Sequence, residues 1–404
     1  VQHGAMSKPI RTACALVLAG AVALGGGACG GPEAGKDETA QPIDLTQLDV
    51  GNYATTPRSL GTAKNPEQAR MIEAERLANF VPLPADIDPA FVSANPSIAK
   101  VFIDPKGSLG RIMDVSRFAE AAPDFVAGFL SSAGNAPDNR GSDLINAVMI
   151  FPDEQKAAAA AAALERVDFE ANNRNTPVQI PKYPAAHAHW QPQDQSIGSW
   201  FATGKFVVYT WVYDYVKNYL EKVDLPELLS LVEKSLDAVV PAIGRFTPTP
   251  VDQVMTAPID MDGMLNRALP RPREDSWIDP PGAYTGSGAL HFTTDSAEDR
   301  RIIEAAGVDR YATDGTDLFR TRDAAAAVGL REQRGGLTKK FRGAESPKGL
   351  PVARCKEYIG NKTVVVRFYC SVTYDRYAAF AWSHQLLDAQ QRISAQYALL
   401  VNAA

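Results

Sequence analysis

LINAVMIFPDEQKAAAAAAALERVDFE spans residues 144–170. Leu144 to Phe151 reads as a buried strand, and Asp153 then opens an alanine-rich helix of high intrinsic propensity. Residues 317–333, DLFRTRDAAAAVGLREQ, repeat that order of strand and alanine-rich helix. Phe151 and Phe319 each precede the alanine block by five or six residues.

Working outward, the elements that follow also correspond. In the first half, AAHAHW (185–190) and FATGKFVVYTWVYD (201–214) read as paired strands. Asp224-Leu225-Pro226-Glu227 then starts a helix with capping-box chemistry and an early proline. That helix sets Leu225, Leu229, Val232, Leu236, Val239 and Ile243 on one stripe. In the second half, PVARCKEYIG and NKTVVVRFYCSVTYD (351–375) read as a hairpin. The last helix aligns Trp382, Leu386, Ala389, Ile393, Tyr397 and Leu400. Tyr213-Asp214 and Tyr374-Asp375 each close the long strand before the final helix. The shared order predicts two tandem β-α-β-β-α units, each an antiparallel sheet with helices on one face, an α+β fold.

The expected boundaries follow from composition. Residues 46–246 form the first domain, with a helix from Pro66 to Asn79. Residues 247–285 are a proline-rich linker, and 286–404 form the second domain. The seam between the two copies is the expected place for a pocket.

The amino-terminal segment reads as an address. Lys8 and Arg11 precede the apolar run Ala13–Leu24, which is short of the roughly 20 residues that span a bilayer. Gly26-Gly27-Ala28-Cys29 resembles a bacterial lipobox, with Gly26 where leucine is usual. The expectation is a signal peptide over 1–28, a diacylglyceryl group on Cys29, and a flexible tether over 29–45. Two acyl chains hold a soluble domain at a membrane far better than one. The protein is then expected outside the cytoplasm, on the outer face of the cytoplasmic membrane.

Beyond that leader only Cys355 and Cys370 remain, and in an exported protein the pair reads as a disulfide. A turn centred on Lys362-Thr363 sets them opposite each other; a tight turn at Gly360-Asn361 would set Cys355 opposite Val366. With 41 basic and 47 acidic residues the net charge is −6, which argues against a nucleic-acid partner.

LDVGNYATTPRSLG (48–61), EAERLANFVPLPADIDP (73–89) and AGVDRY (306–311) with DLFRTRDAAAA resemble a family of exported lipoproteins from mycobacteria and related actinobacteria. The resemblance implies an envelope lipoprotein. It carries no activity and no catalytic residues.

Few residues suggest chemistry. His187 and His189 alternate on one strand, so both rings face one side, but no third metal ligand stands at a suitable spacing. Trp190, Trp200, Trp211 and Tyr209 cluster around the first hairpin, where they suit either a core or a platform for a sugar or lipid head group. Asp260-Met261-Asp262-Gly263 starts like a calcium loop but lacks its later ligands. Gly286-Ser287-Gly288 is not a nucleophile elbow, because its glycines adjoin the serine. Asn361-Lys362-Thr363 matches a glycosylation sequon. No catalytic residue and no cofactor is implied. The expected function is binding, with an envelope glycan, lipid or protein as ligand. The alternative is a hydrolase acting on envelope polymers.

Overall fold

A computed structural model of the protein describes residues 43–94, 98–137, 140–273, 275, 278–360 and 366–403. The leader, Cys29 with most of its tether, and the sequon at 361–363 lie outside the described residues. Residues 44–404 form one compact unit.

The first half runs α1 (Pro66–Ala78), α2 (Pro84–Ile87), β1 (Ser93–Ala94), β2 (Val101–Phe102), α3 (Phe118–Ala121), β3 (Ala127–Gly134) and β4 (Ser142–Ile150). It continues with α4 (Glu154–Ala171), β5 (Thr176–Pro177), β6 (His187–Gln191), β7 (Ser196–Thr203), β8 (Phe206–Asp214), α5 (Tyr215–Tyr219) and α6 (Leu225–Ile243). The second half runs α7 (Met264–Arg267), β9 (Gly282–Thr285), α8 (Gly286–Ala289), α9 (Ser296–Ala305), β10 (Arg310–Thr313) and β11 (Asp317–Arg320). It ends with α10 (Ala324–Gly335), β12 (Phe341–Ala344), β13 (Arg354–Tyr358), β14 (Phe368–Tyr374), β15 (Tyr377–Ser383) and α11 (Leu386–Asn402).

Both sheets are antiparallel and share one topology. The orders are β1-β3-β4-β8-β7-β6-β5 and β9-β10-β11-β15-β14-β13-β12, with β2 added to β3. Numbered along the chain, each path is first, second, third, seventh, sixth, fifth, fourth. The alanine-rich helix follows the third strand in both halves, and a long helix follows the seventh. The duplicated unit is therefore larger than β-α-β-β-α: it gains two strands before that block and two within it. The start signals correspond as well. Asp153 accepts the Lys156 amide at 2.8 Å and Asp323 accepts the Ala326 amide at 2.7 Å, each capping its alanine helix.

The helices occupy both faces of each sheet, not one. Alternation on β8 sends Val208 and Val212 toward α6, where Val232, Leu236 and Val239 join the same core. Val207 and Tyr209 point the other way, into a core with Ala157, Ala160, Ala161 and Leu164 of α4. In the second sheet Ala378 packs with Ala326, Ala327 and Leu330 of α10. Its neighbour Tyr377 pairs with Tyr374, whose ring meets Tyr397 of α11 at 5.7 Å. Strands buried on both sides need a cover on both sides, and one helix per unit supplies each. Alanine at the contact positions lets α4 and α10 lie close to their sheets.

One core runs through both halves. The α6 face of the first sheet continues through Ala74 and Leu77 of α1 to Tyr284, Leu290, Ile303 and Phe319. His291 sits within it, with Nε2 donating to the Val81 carbonyl and Nδ1 accepting from Ser131, both at 3.1 Å. Burial pushes its pKa down to about 3, so the ring is neutral.

The described residues of the segment expected as a linker, 247–285, form a strap that ends in β9. The Thr249 amide donates to Glu73 at 2.9 Å, the Arg271 amide to Asp314 at 2.9 Å, and the Lys100 amide to Asp279 at 2.6 Å. Proline-fixed extended backbone is thus tied down by carboxylates of both halves. Cys355 pairs directly with Cys370 across β13 and β14, and the two are disulfide-bonded. FATGKFVVYTWVYD is itself a hairpin, turning at Gly204 (φ 52°), so β6 pairs with β7 and not with β8. Trp382 lies on β15 and not on the last helix.

Candidate functional site

A pocket of about 260 Å³ opens on the α4 side of the first sheet. Strands β6, β7 and β8 form its floor, through His189, Gln191, Ser196, Gly198, Tyr209 and Trp211. Cross-strand pairing explains the convergence. His189 pairs with Gly198, which pairs with Trp211, so all three project on one face. Gly198 has no side chain to cover its neighbours, and a Cβ there would meet the Trp200 ring at 2.9 Å. The end of α4 supplies Asp168 and Asn172, the turn after it Asn175, and the loop before α3 Asp114.

His189 is buried and held between two carboxylates. Its Nδ1 lies 3.1 Å from Glu165 Oε1 and its Nε2 3.4 Å from Asp168 Oδ2. Burial works against the charged ring, but the hydrogen bonds to Asp168 and Glu165 outweigh it and hold the pKa above the ordinary histidine value. The imidazole stacks on Trp200 at 5.3 Å, and Trp200 on Tyr209 at 4.4 Å. From there the aromatic row continues outward along β8. The Trp211 and Tyr213 rings stack at 5.5 Å with 21° between planes, and Tyr215 meets Tyr213 at 4.5 Å. Trp211, Tyr213 and Tyr215 are half-exposed.

Among the described residues, two buried polar atoms of the pocket wall have no hydrogen-bond partner, Tyr209 Oη and Asn175 Oδ1. Asn175 meanwhile donates its amide hydrogens to the Asp168 and Phe169 carbonyls, both at 3.0 Å. Buried polar groups are ordinarily paired, and these two exceptions lie beneath the pocket surface.

The sequence candidates separate. His189 and Trp211 line the pocket. Trp200 is fully buried beneath them, a support and not a contact surface. Trp190 borders the pocket but packs against the opposite core, because it alternates with His189. His187 is exposed, outside the pocket lining. Among the described residues no three His, Cys, Asp or Glu side chains are grouped to hold a metal. Asp260 caps the turn into α7, accepting the Leu265 and Asn266 amides at 2.7 and 3.0 Å, and Asp262 pairs with Arg310 and Arg320. Gly286 and Gly288 serve packing: a Cβ on Gly286 would meet the Val308 carbonyl oxygen at 2.0 Å.

Sequence reasoning missed Asp114, Glu165, Asp168 and Asn175. One signal was present. Glu165 and Asp168 lie three residues apart, beside the buried Leu164 and Val167, so two carboxylates follow the buried stripe of α4 toward the histidine strand.

Two profiles of one family divide the chain at the strap. The domain of unknown function DUF7373, N-terminal, matches residues 60–259, and its C-terminal counterpart matches 264–403. The chain belongs to the DUF7373 family. Those two DUF7373 domains are the two sheet units described above. No curated protein matches the chain significantly. Among solved structures, the extracellular domain of PknH from Mycobacterium tuberculosis is similar at 14% identity and a TM-score of 0.26. That match covers 42% of this chain and 96% of that one.

Proposed function

We propose that this DUF7373 protein is a lipid-anchored, extracytoplasmic binding module that takes a saccharide unit of an envelope glycan in the pocket over β6–β8. The observation that carries the reading is the pairing of an aromatic row with polar side chains of the pocket wall. Trp211, with Tyr213 stacked beside it, offers ring surface to the C–H face of a sugar, while Asp114, Asn172 and Gln191 in the lining offer acceptors and donors to its hydroxyls. The volume, about 260 Å³, lies just under the usual range for drug-sized ligands and suits one ring. Ile112, Met113 and Ala171 add some apolar surface, but Asp114, Asp168, Asn172, Asn175 and Gln191 make the lining a poor match for a lipid tail.

The groups that would cut such a ligand are committed elsewhere. Both nitrogens of His189 face carboxylates, leaving neither to take a proton. Asp168 also accepts the Asp114 amide at 3.1 Å. Asp114 is held below the ordinary carboxylate range by the Ser116 amide and hydroxyl, the opposite of a general acid. The serine–histidine contact, Ser131 with His291, is sealed in the core. Binding therefore fits better than hydrolysis.

Soluble envelope oligosaccharides titrated against the chain should quench tryptophan fluorescence. Trp211→Ala should weaken binding about tenfold, the loss of roughly one aromatic stacking contact. Absence of saccharide binding, or binding unchanged in Trp211→Ala, sinks the reading. Anchoring is tested separately: Cys29→Ala should release the protein from the membrane fraction, and unchanged retention rejects the lipid.

A further inference from the structure

A second, larger cavity of about 460 Å³ lies at the seam of the two halves. Ile72, Glu75 and Arg76 of α1 form one wall, Ala257 to Asp262 of the strap another, and Ala283 of β9 closes it. Its surface is apolar at Ile72, Ala257, Pro258, Ile259 and Met261.

Most of the polar groups in this wall are engaged. Arg76 bonds Glu73 and Thr249 and lies over the Phe246 ring at 5.4 Å. Asp260 caps α7, and Asp262 pairs with Arg310 and Arg320. Thr256 donates to the Gln253 carbonyl at 2.8 Å. Glu75 differs. It is 7% exposed, and its carboxyl has no hydrogen bond or ion pair among the described residues. Burial without a partner disfavours the ionised carboxyl and pushes its pKa well above the ordinary value.

We propose that this seam cavity is a second binding site, taking an organic ammonium group on a compact apolar body with Glu75 as its counter-ion. Of the three carboxyls in the wall, Asp260 and Asp262 are already engaged, as is its one guanidinium, so an anion finds no free donor and Glu75 is left for an opposite charge. An ammonium supplies the missing opposite charge, and the apolar wall covers its hydrocarbon. Because α1 belongs to one half and β9 to the other, an occupant would bridge the two.

The full chain titrated by calorimetry with n-hexylammonium and with 1-hexanol tests this directly. The ammonium should bind at least tenfold more tightly than the alcohol. Glu75→Gln, nearly isosteric, should abolish that preference and leave hexanol binding unchanged. Ala257→Phe, which fills the cavity, should remove binding of both. Equal binding of the two probes by the wild type, a preference that survives Glu75→Gln, or binding that survives Ala257→Phe each overturns the proposal. The wild-type comparison needs no variant, so a folding defect cannot mask the answer.

Discussion

Removing the Cys355–Cys370 bond tests whether the two sheets melt as one body. The bond spans 15 residues, and closing a loop of that length in the unfolded chain stabilises the fold by about 3 kcal/mol in the chain-entropy model. The resulting fall in Tm depends on the size of the cooperative unit, because unfolding entropy grows by about 2.1 cal/mol/K per residue. Residues 44–404 taken as one unit have an unfolding entropy of about 760 cal/mol/K, so Tm should fall by about 4 °C. Were residues 264–403 to melt alone, the entropy would be about 290 cal/mol/K and the fall about 10 °C. The continuous core decides between them: Leu77 and Val148 share it with Tyr284, Phe319 and Ala378. We expect the double variant Cys355→Ala/Cys370→Ala to show one calorimetric transition about 4 °C lower. A new second transition, or a single one lowered by about 10 °C, would refute the shared core; no shift at all would refute the stabilising bond.

Three further outcomes follow from named contacts. Stability should rise with pH from about 3 to about 6.5, because the unfolded chain protonates a His291 that the fold holds neutral. Above about 6.5 it should fall as pH passes through the raised pKa of folded His189, whose proton Asp168 and Glu165 retain. Each limb slopes by at most about 1.4 kcal/mol per pH unit, and denaturant titrations of His291→Gln and His189→Gln should each lack one limb; a retained limb contradicts its assignment. Gly286→Ala drives a Cβ into the Val308 carbonyl and should cost about 1–3 kcal/mol, whereas Gly343→Ala, with open space around it, should stay within about 0.5 kcal/mol; similar urea midpoints for the two would reject the packing role. Leu236→Ala, fully buried on α6, should cost about 2–5 kcal/mol, against about 0.5 kcal/mol or less for Leu337→Ala, which is 63% exposed.

The duplication was legible because it is written in strong local signals. Asp153 and Asp323 before alanine blocks, and a tyrosine–aspartate pair closing each long strand, mark equivalent points of the two units. What stayed hidden was pairing over distance. The edge strands β5 and β12 are two and four residues long and carry no period to read. Helix placement on both faces was also obscured. Leu144 to Ile150 is buried throughout, so it gave no alternation to show that each side meets a different helix. The strap was misread for a related reason. Its prolines do exclude a long helix and a central strand, but they are equally compatible with an extended chain fixed by Glu73 and Asp314, carboxylates that lie far away in sequence, and by its own Asp279, which accepts the Lys100 amide.

The site shows the same division between local and distant information. His189 and Trp211 were visible as residue types on neighbouring strands. Their meaning depends on register: pairing His189 with Gly198, and Gly198 with Trp211, opens a gap that any side chain at 198 would fill. Shifting β7 by one residue would put Ile197 or Ser199 there and close the pocket. Register also decides chemistry. It brings His189 against Glu165 and Asp168, which occupy both ring nitrogens and fix the ring against the aromatic stack. Of the two histidines read as weak metal candidates, His189 is thus enclosed by carboxylates and a buried aromatic stack, while the half-exposed Trp211 is left facing the pocket.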